Sequence, residues 1–204
     1  MKQLTSLFVI LLTLLASSGF RYSEGYKVGD TAMDFQLKNV DGKTISLAGN
    51  EAVKGYILVF TCNTCPVAQA YEDRIIALHN QYTSQGYPVI AINSNDSNVS
   101  SGDSYEQMQK KANDKQYPFA YVWDETQNIA KTYGANRTPQ VFIVKKEGSA
   151  YKVMYIGAVD DHSEEASGAQ KKYVEEAMKE IIAGKPVTTS FTRTVGCSIK
   201  WRRA

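Results

Sequence analysis

Two cysteines separated by two residues, in Cys62-Asn63-Thr64-Cys65, are the side chains best suited to chemistry. Thiols at this spacing lie about one helical turn apart and can close reversibly into a small disulfide ring. Pro66 follows, and proline suits the first turn of a helix because the N–H that it lacks would have no partner there. Free N–H groups at a helix start stabilise a thiolate and lower its pKa from about 8.5 to roughly 3.5–7.5. The sequence therefore predicts a redox pair at a helix N-terminus.

Two other interpretations of the pair stay open. A zinc site usually needs four ligands, and Cys197, His79 and His162 are the residues left to complete one. The pair could also form a purely structural disulfide. Three cysteines are too few for a disulfide scaffold, and an odd number in an oxidising compartment leaves at least one thiol unpaired or shared. We therefore predict redox chemistry, with no metal and no cofactor.

The segments on either side of the pair predict the elements that position it. Residues 56–60 are apolar without alternation, as expected of a central strand that is buried on both faces of a sheet. After the pair, an apolar stripe at spacings of four and three predicts one helix that ends near Gly86. The stripe consists of Val67, Tyr71, Ile75, Leu78 and Tyr82. A C-x-x-C motif between such a strand and helix favours a redox role.

The rest of the chain predicts an α/β domain that opens with a β-hairpin around Asp41-Gly42. Strands and helices then alternate, which implies a mixed central sheet with helices on both faces. Strands are predicted at 35–40, 43–47, 88–93, 119–123, 140–145 and 151–156, and helices at 103–115, 124–133 and 168–183. The second of these helices is short. Asp103 and Glu106 have the spacing of a capping box at the start of the first.

These features resemble the thioredoxin superfamily, and within it the redoxin branch of peroxiredoxin-like proteins, the alkyl hydroperoxide reductase–thiol-specific antioxidant family. The resemblance covers about residues 28–185 and depends on four segments, at 60–66, 91–96, 124–127 and Thr138-Pro139. The tail segment 196–201 is similar to that of an uncharacterised peroxiredoxin-like subgroup. The resemblance implies a thioredoxin-like fold with Cys62 as exposed nucleophile and Cys65 as resolving thiol. It also implies a cis Pro139 that faces the pair and a Thr138 backbone that binds substrate.

Two departures from the family pattern affect the expected reaction. Thr61 stands before the first cysteine, where thioredoxin has tryptophan, so a redox potential cannot be transferred. Peroxiredoxins place a threonine three residues before a Cys-Pro nucleophile, and here Cys62 occupies that position relative to Cys65-Pro66. The loss of this threonine favours disulfide exchange over peroxide reduction.

Three further residues are open to more than one interpretation. Arg137 could stabilise the thiolate if the cis loop faces the pair, or be a solvated loop arginine. Cys197 could be a third redox thiol or a buried cysteine packed with Ile199 and Trp201. His162 could complete a copper site with the two cysteines, as in Sco-type proteins, or lie in a surface loop. No general base is evident, and Glu72 is only a guess.

The ends of the chain complete the predicted organisation. Lys2, an apolar run at 7–16 and small residues at 17–19 form the pattern of a signal peptide over residues 1–19. The run is about half of the ~20 residues that a spanning helix needs, so a retained anchor is the weaker alternative, and we expect no membrane span in the mature form. The thioredoxin-like domain is predicted at 28–185 and a tail carrying Cys197 at 186–204. A glycan at Asn136 would obstruct Thr138-Pro139, which favours a bacterial periplasm.

The charge of the chain bears on its partners. The 23 basic and 21 acidic residues give a net charge of +2, and the one basic cluster, at 200–203, belongs to the tail. Nucleic acid is therefore not an expected partner. We expect protein dithiols, protein disulfides or hydroperoxides as substrates, together with a reducing or oxidising partner protein. The leading interpretation is an exported thiol–disulfide oxidoreductase, and the alternatives are a thiol peroxidase and a copper-handling protein.

Overall fold

A computed structural model of the protein describes residues 25–203. The predicted signal peptide, residues 1–19, lies outside this range. The strands are β1 Thr31–Ala32, β2 Leu37–Asn39, β3 Thr44–Ile45, β4 Gly55–Thr61, β5 Val89–Asn93, β6 Ala120–Trp123, β7 Arg137–Thr138, β8 Gln140–Glu147, β9 Ala150–Gly157 and β10 Cys197–Ser198. The helices are α1 Pro66–Ala70, α2 Glu72–Tyr82, α3 Tyr105–Asp114, α4 Asn128–Tyr133 and α5 Tyr173–Ile182, with short 3-10 turns at Thr83–Gln85, Ser101–Asp103 and Ala166–Gly168.

Eight of these strands form one sheet in the order β1-β9-β8-β4-β5-β6-β2-β3. Strands β4, β5 and β6 run parallel, and the pairs on either side of them are antiparallel. The predicted mixed sheet is therefore confirmed. Strand β4 lies at its centre, where the hydrogen bonds of β5 and β8 fix the position at which the strand ends.

The two faces of the sheet bury separate apolar cores, as the unbroken apolar run in β4 predicts. Ile57 and Val59 pack on one face with residues of α2, α3 and α5. Leu58 and Phe60 pack on the other face with residues of α4. Each large apolar side chain buried in this way stabilises the fold by roughly 1.5–3 kcal/mol. The end of β4 is thus held rigidly, and the two cysteines follow it directly.

Several predicted boundaries were wrong. The helix expected between Pro66 and Gly86 is interrupted at Tyr71, whose N–H bonds to the carbonyl three residues earlier. Helix α3 begins after Ser104, whose hydroxyl accepts from the N–H of Gln107, so Asp103 is not its cap. Helix α5 begins five residues later than predicted, at Tyr173, after a 3-10 turn. A short strand, β1, also precedes the hairpin, which is formed by β2 and β3.

The tail lies against the domain along most of its length. Phe191 forms a bridge with Ile156 at the end of β9, and β10 pairs with β7. Ile199 is 3% exposed and belongs to the same core as Phe60, where Trp201 also packs. Ile199 and Trp201 of the tail therefore contribute to the core in which Phe60 packs.

Candidate redox site

The two cysteines lie at the junction of β4 and α1. Strand β4 ends at Thr61, Cys65 is the N-cap of α1, and Pro66 occupies the first helical position as predicted. Cys62 and Cys65 are only 5% and 3% exposed, and both are free thiols. The expectation of an exposed Cys62 was wrong for this arrangement, because the chain covers both sulfurs.

Thr138 contacts both sulfurs. Its hydroxyl lies 3.3 Å from Cys62 Sγ, and its carbonyl oxygen lies 3.4 Å from Cys65 Sγ, which is the donor of that contact. The peptide bond between Thr138 and Pro139 is cis, as predicted. The cis loop and the redox pair are therefore adjacent, and the substrate-binding role of Thr138 and Pro139 stays a prediction.

A buried carboxylate that sequence reasoning did not assign to the site holds the loop between the cysteines. Asp103 has no exposed surface, and it accepts a 2.6 Å hydrogen bond from the Asn63 N–H and a 2.7 Å bond from the Thr64 hydroxyl. Its other donors are Asn93 Nδ2, Asn95 Nδ2 and Ser100 Oγ, at 3.1, 2.9 and 2.7 Å. Burial raises the pKa of Asp103, but these hydrogen bonds outweigh burial and lower it below its usual value.

This cluster lies where the parallel strands end. Asn93 is the last residue of β5 and pairs with Thr61 at the end of β4. The Tyr121 hydroxyl donates to Asn63 Oδ1 at 2.8 Å, which fixes the side chain between the cysteines. The polar residues that begin at Asn93 in the sequence indicate a polar cluster at this position. They did not point to Asp103, because its own sequence context fits a helix cap equally well.

The acidity of the two thiols is the reverse of the expected order. A hydrogen bond from the Cys62 thiol is the largest influence on Cys65, and it lowers the pKa of Cys65 to about 4 against the opposing effect of burial. The Cys197 thiol and the nearby N–H groups of Ala68 and Cys197 act in the same direction. The pKa of Cys62 is raised by the same hydrogen bond, by burial and by the Asp103 charge.

One contact of Cys65 favours the protonated thiol instead of the thiolate. The 3.4 Å approach to the Thr138 carbonyl suits a protonated Cys65, because a carbonyl oxygen repels an anion. The donors around the same sulfur, among them the Cys62 thiol and the N–H of Ala68, favour the anion, and we assign it to Cys65. The location of Cys65 at the helix N-cap agrees with this assignment, since the start of a helix favours negative charge.

The third cysteine lies on the tail beside the pair. In the β10–β7 pairing, Cys197 is opposite Thr138, and Ser198 is opposite Arg137. Half-buried Cys197 packs against the cluster of Cys62 and Cys65, so packing with Ile199 and Trp201 was the wrong alternative. The pKa of Cys197 is raised by its hydrogen bond to Cys65 and by burial.

The side-chain hydrogen bonds of Arg137 go to the tail. Its Nη1 donates to the Gly196 carbonyl and to the Ser198 hydroxyl, both at 3.3 Å. Its charge also lowers the pKa of Cys197, although other influences outweigh it. The side-chain bonds of Arg137 go to the tail, and a role at the thiolate of the C-x-x-C pair stays a prediction. Thr61 is the half-buried last residue of β4, and its role stays a prediction.

The other titratable candidates, Glu72 and His162, have partners outside the redox pair. Glu72 is ion-paired with Lys111 and Lys115 at 2.5 and 3.3 Å, which is a structural role and not that of a base. The ring of His162 accepts from the N–H of Glu165. Within residues 25–203, no three His, Cys, Asp or Glu side chains converge to hold a metal ion. His162 therefore does not converge with the two cysteines in the described part of the chain, as the copper-site alternative requires.

Comparisons with known proteins agree with this fold. The model of the AhpC/TSA family matches residues 28–153. The thiol-disulfide oxidoreductase ResA of Bacillus thuringiensis subsp. konkukian is 28% identical over 181 residues, which cover 85% of this chain and 93% of that protein.

Solved structures extend the comparison. An uncharacterised conserved protein from Geobacillus kaustophilus superposes with a TM-score of 0.80 and 34% identity, over 88% of this chain and 94% of that one. A Chlorobium tepidum protein provisionally named thiol:disulfide interchange protein DsbE superposes with a TM-score of 0.56 at 22% identity, over 78% of this chain and 99% of that one. This likeness confirms the thioredoxin-like fold. Between residues 25 and 203, no helix is long and apolar enough to cross a membrane.

Proposed function

Because the chain belongs to the AhpC/TSA family of oxidoreductases, we propose that it is a thiol–disulfide oxidoreductase with Cys62 and Cys65 as its redox pair. The observation that carries the proposal is the position of both sulfurs at the start of α1, each in contact with Thr138 of the cis Thr138-Pro139 loop. The Cys62 thiol lowers the pKa of Cys65, which favours a thiolate on Cys65 at neutral pH.

In the proposed reaction the Cys65 thiolate attacks one sulfur of a partner disulfide. A mixed disulfide forms, and the other partner sulfur leaves as a thiolate. Cys62 then loses its proton and attacks Cys65, which releases the second partner thiolate. The pair is oxidised to a Cys62–Cys65 disulfide and the partner is reduced to a dithiol. The same steps run in reverse when the partner is oxidised, and the two reduction potentials set the direction.

The proposed partners are proteins with a dithiol or a disulfide. Thr138 contacts both sulfurs, and its backbone pairs with β10. An extended peptide can therefore pair with the same backbone. Pro139 is proposed to hold this edge in place. We also propose export through the signal peptide at residues 1–19 and residence in a bacterial periplasm, with a reducing or oxidising protein that regenerates the pair.

The proposal is tested by trapping the mixed disulfide with insulin, a small disulfide-bonded protein, as the probe. Cys62→Ser and Cys65→Ser are each made in a Cys197→Ser background, so that only one cysteine is present. A mixed disulfide that accumulates with Cys62→Ser is expected, since the hydroxyl that replaces the Cys62 thiol cannot resolve it. Accumulation with Cys65→Ser alone would assign the attack to Cys62, the order predicted from sequence. The absence of any mixed disulfide in both variants would contradict exchange by this pair.

A thiol peroxidase is the second candidate. The observation in its favour is the lowered pKa of Cys65, which directly precedes Pro66 as a peroxide-reactive cysteine would. Against it, Cys62 occupies the position of the peroxide-activating threonine. The two candidates differ in their rate of reaction with hydrogen peroxide.

A further inference from the structure

The tail places a thiol on the redox pair in a defined register. Cys197 pairs with Thr138 in an antiparallel ladder, and Thr138 in turn contacts Cys62 and Cys65. Successive residues of a strand point to opposite faces. The Ser198 side chain meets Arg137, whereas that of Cys197 packs against the redox pair. The thiol of Cys197 thus lies against the buried cluster of Cys62, Cys65 and Ala68.

The residues after Cys197 hold the tail in this register. The N–H of Ile199 donates to the Asn136 carbonyl at 3.1 Å. Lys200 exchanges two hydrogen bonds with the loop after β5, from its N–H to Asn95 Oδ1 and from the Asp96 N–H to its carbonyl, both at 2.8 Å. These contacts lie on both sides of the C-x-x-C loop, so the position of Cys197 is set by the fold.

Gly196 allows the close approach on the other side of Cys197. A Cβ atom at this position would lie 2.1 Å from the Thr138 carbonyl oxygen and 2.8 Å from its carbon. Any other residue would push the tail away from the cis loop. Arg137 holds the same segment by donating to the Gly196 carbonyl and the Ser198 hydroxyl.

We propose that Cys197 is a third redox residue of this protein, which exchanges with Cys65. The inference rests on the proposed function, because it needs the Cys62–Cys65 disulfide. Cys197 attacks Cys65 Sγ of that disulfide, the bond between Cys62 and Cys65 breaks, and a Cys65–Cys197 disulfide forms. Cys62 leaves as a thiolate and takes up the proton that Cys197 has lost, so that it becomes a free thiol. No electrons are gained or lost, so the step needs no external oxidant.

The exchange changes which of the cysteines is a free thiol. Cys65 is the sulfur common to both disulfides, and Cys62 is a free thiol when the bond is on Cys197. The tail also occupies the backbone of Thr138, where we propose that a partner peptide pairs. A partner therefore competes with the chain's own tail for the same edge and for the same sulfur.

The test uses full-length Cys62→Ser, which leaves Cys65 and Cys197 as the only thiols. The protein is treated with one equivalent of diamide, a diazene that takes two electrons and two protons from a dithiol. Free thiols are then alkylated, and the cross-linked peptides are mapped by mass spectrometry without reduction. We expect an intramolecular Cys65–Cys197 disulfide in most molecules. Two alkylated cysteines, or intermolecular disulfides alone, would overturn the proposal.

A register control makes the test specific. The variant Cys62→Ser, Cys197→Ser, Ser198→Cys moves the tail thiol by one residue to the opposite face of β10. We expect it to cross-link to Cys65 in a far smaller fraction of molecules. Equal cross-linking of the two variants would overturn the proposal, because it would mean that the register does not select Cys197.

A second measurement guards against a folding defect in the variants. The wild type is equilibrated in glutathione buffers, and both disulfides are mapped in the same samples, where we expect a Cys65–Cys197 population beside Cys62–Cys65. A Cys62–Cys65 disulfide with no Cys65–Cys197 species would overturn this inference and leave the proposed function standing. Failure of both disulfides to form would contradict the proposed function as well.

Discussion

The Asp103 carboxylate accepts a 2.6 Å hydrogen bond from the backbone N–H of Asn63, the first residue between the two cysteines. Asp103 also binds the side chain of Thr64, the second of those residues. One buried charge from a 3-10 turn therefore fixes the whole C-x-x-C loop. Its negative charge also raises the pKa of Cys62, which helps to separate the acidities of the two thiols.

Replacement of Asp103 by alanine is expected to destabilise the protein. The change leaves buried donors on Asn63 and Asn95 without an acceptor, and each such group costs roughly 1–3 kcal/mol. We expect the free energy of unfolding to fall by about 3 kcal/mol in urea titrations. Asp114→Ala, on the exposed end of α3, is the matched control and should change it by less than about 0.5 kcal/mol. Equal effects of the two substitutions would contradict the role given to Asp103.

Replacement of Cys62 by alanine is expected to raise the pKa of Cys65. The Cys62 thiol is the strongest influence on that pKa, so its loss moves the value of about 4 upward toward the ordinary value. The thiolate absorbance of Cys197→Ser with and without Cys62→Ala, followed against pH, measures the shift. In the parent, the thiolate persists at neutral pH and is lost as the pH falls through the lowered pKa. An unchanged titration would refute the shared hydrogen bond.

Substitution of Gly196 by valine is expected to uncover the redox pair. The new side chain collides with the Thr138 carbonyl, and overpacking of this kind costs about 1–3 kcal/mol. The population with the tail displaced should therefore rise roughly 5- to 160-fold. The rate at which iodoacetamide alkylates Cys65 should rise with it. Val195→Ala, at the exposed neighbouring residue, is the control, and a rate no faster than in that control would count against the tail as a cover.

Oxidation by hydrogen peroxide is expected to be slow. The threonine position of a peroxiredoxin is occupied by Cys62, and both sulfurs are buried. Stopped-flow mixing of the reduced protein with micromolar peroxide should give no fast phase, in the wild type or in Gly196→Val. A fast phase in either protein that disappears with Cys65→Ser would promote the peroxidase over disulfide exchange.

Local sequence patterns were sufficient for the scaffold of the site. The unbroken apolar run at 56–60 predicted the central strand, and Pro66 predicted the start of the helix, because both signals depend on neighbouring residues alone. The family resemblance supplied the cis bond before Pro139.

Long-range contacts could not be predicted in the same way. Asp103 lies 40 residues after Asn63 in the chain, and its own surroundings suit a helix cap. Buried Cys62 contacts Thr138, which lies 76 residues further along the chain. Only the fold brings Cys197 to Thr138, from 59 residues away.

The central claim is that Cys62 and Cys65 interconvert between dithiol and disulfide, and a redox titration of Cys197→Ser tests it most directly. The protein is equilibrated in buffers of graded glutathione ratio, and the free thiols are then counted by alkylation and mass spectrometry. We predict one two-electron transition between a dithiol form and a form with an intramolecular Cys62–Cys65 disulfide. Thiols that stay free across the range, or form only mixed disulfides with glutathione, would contradict the account.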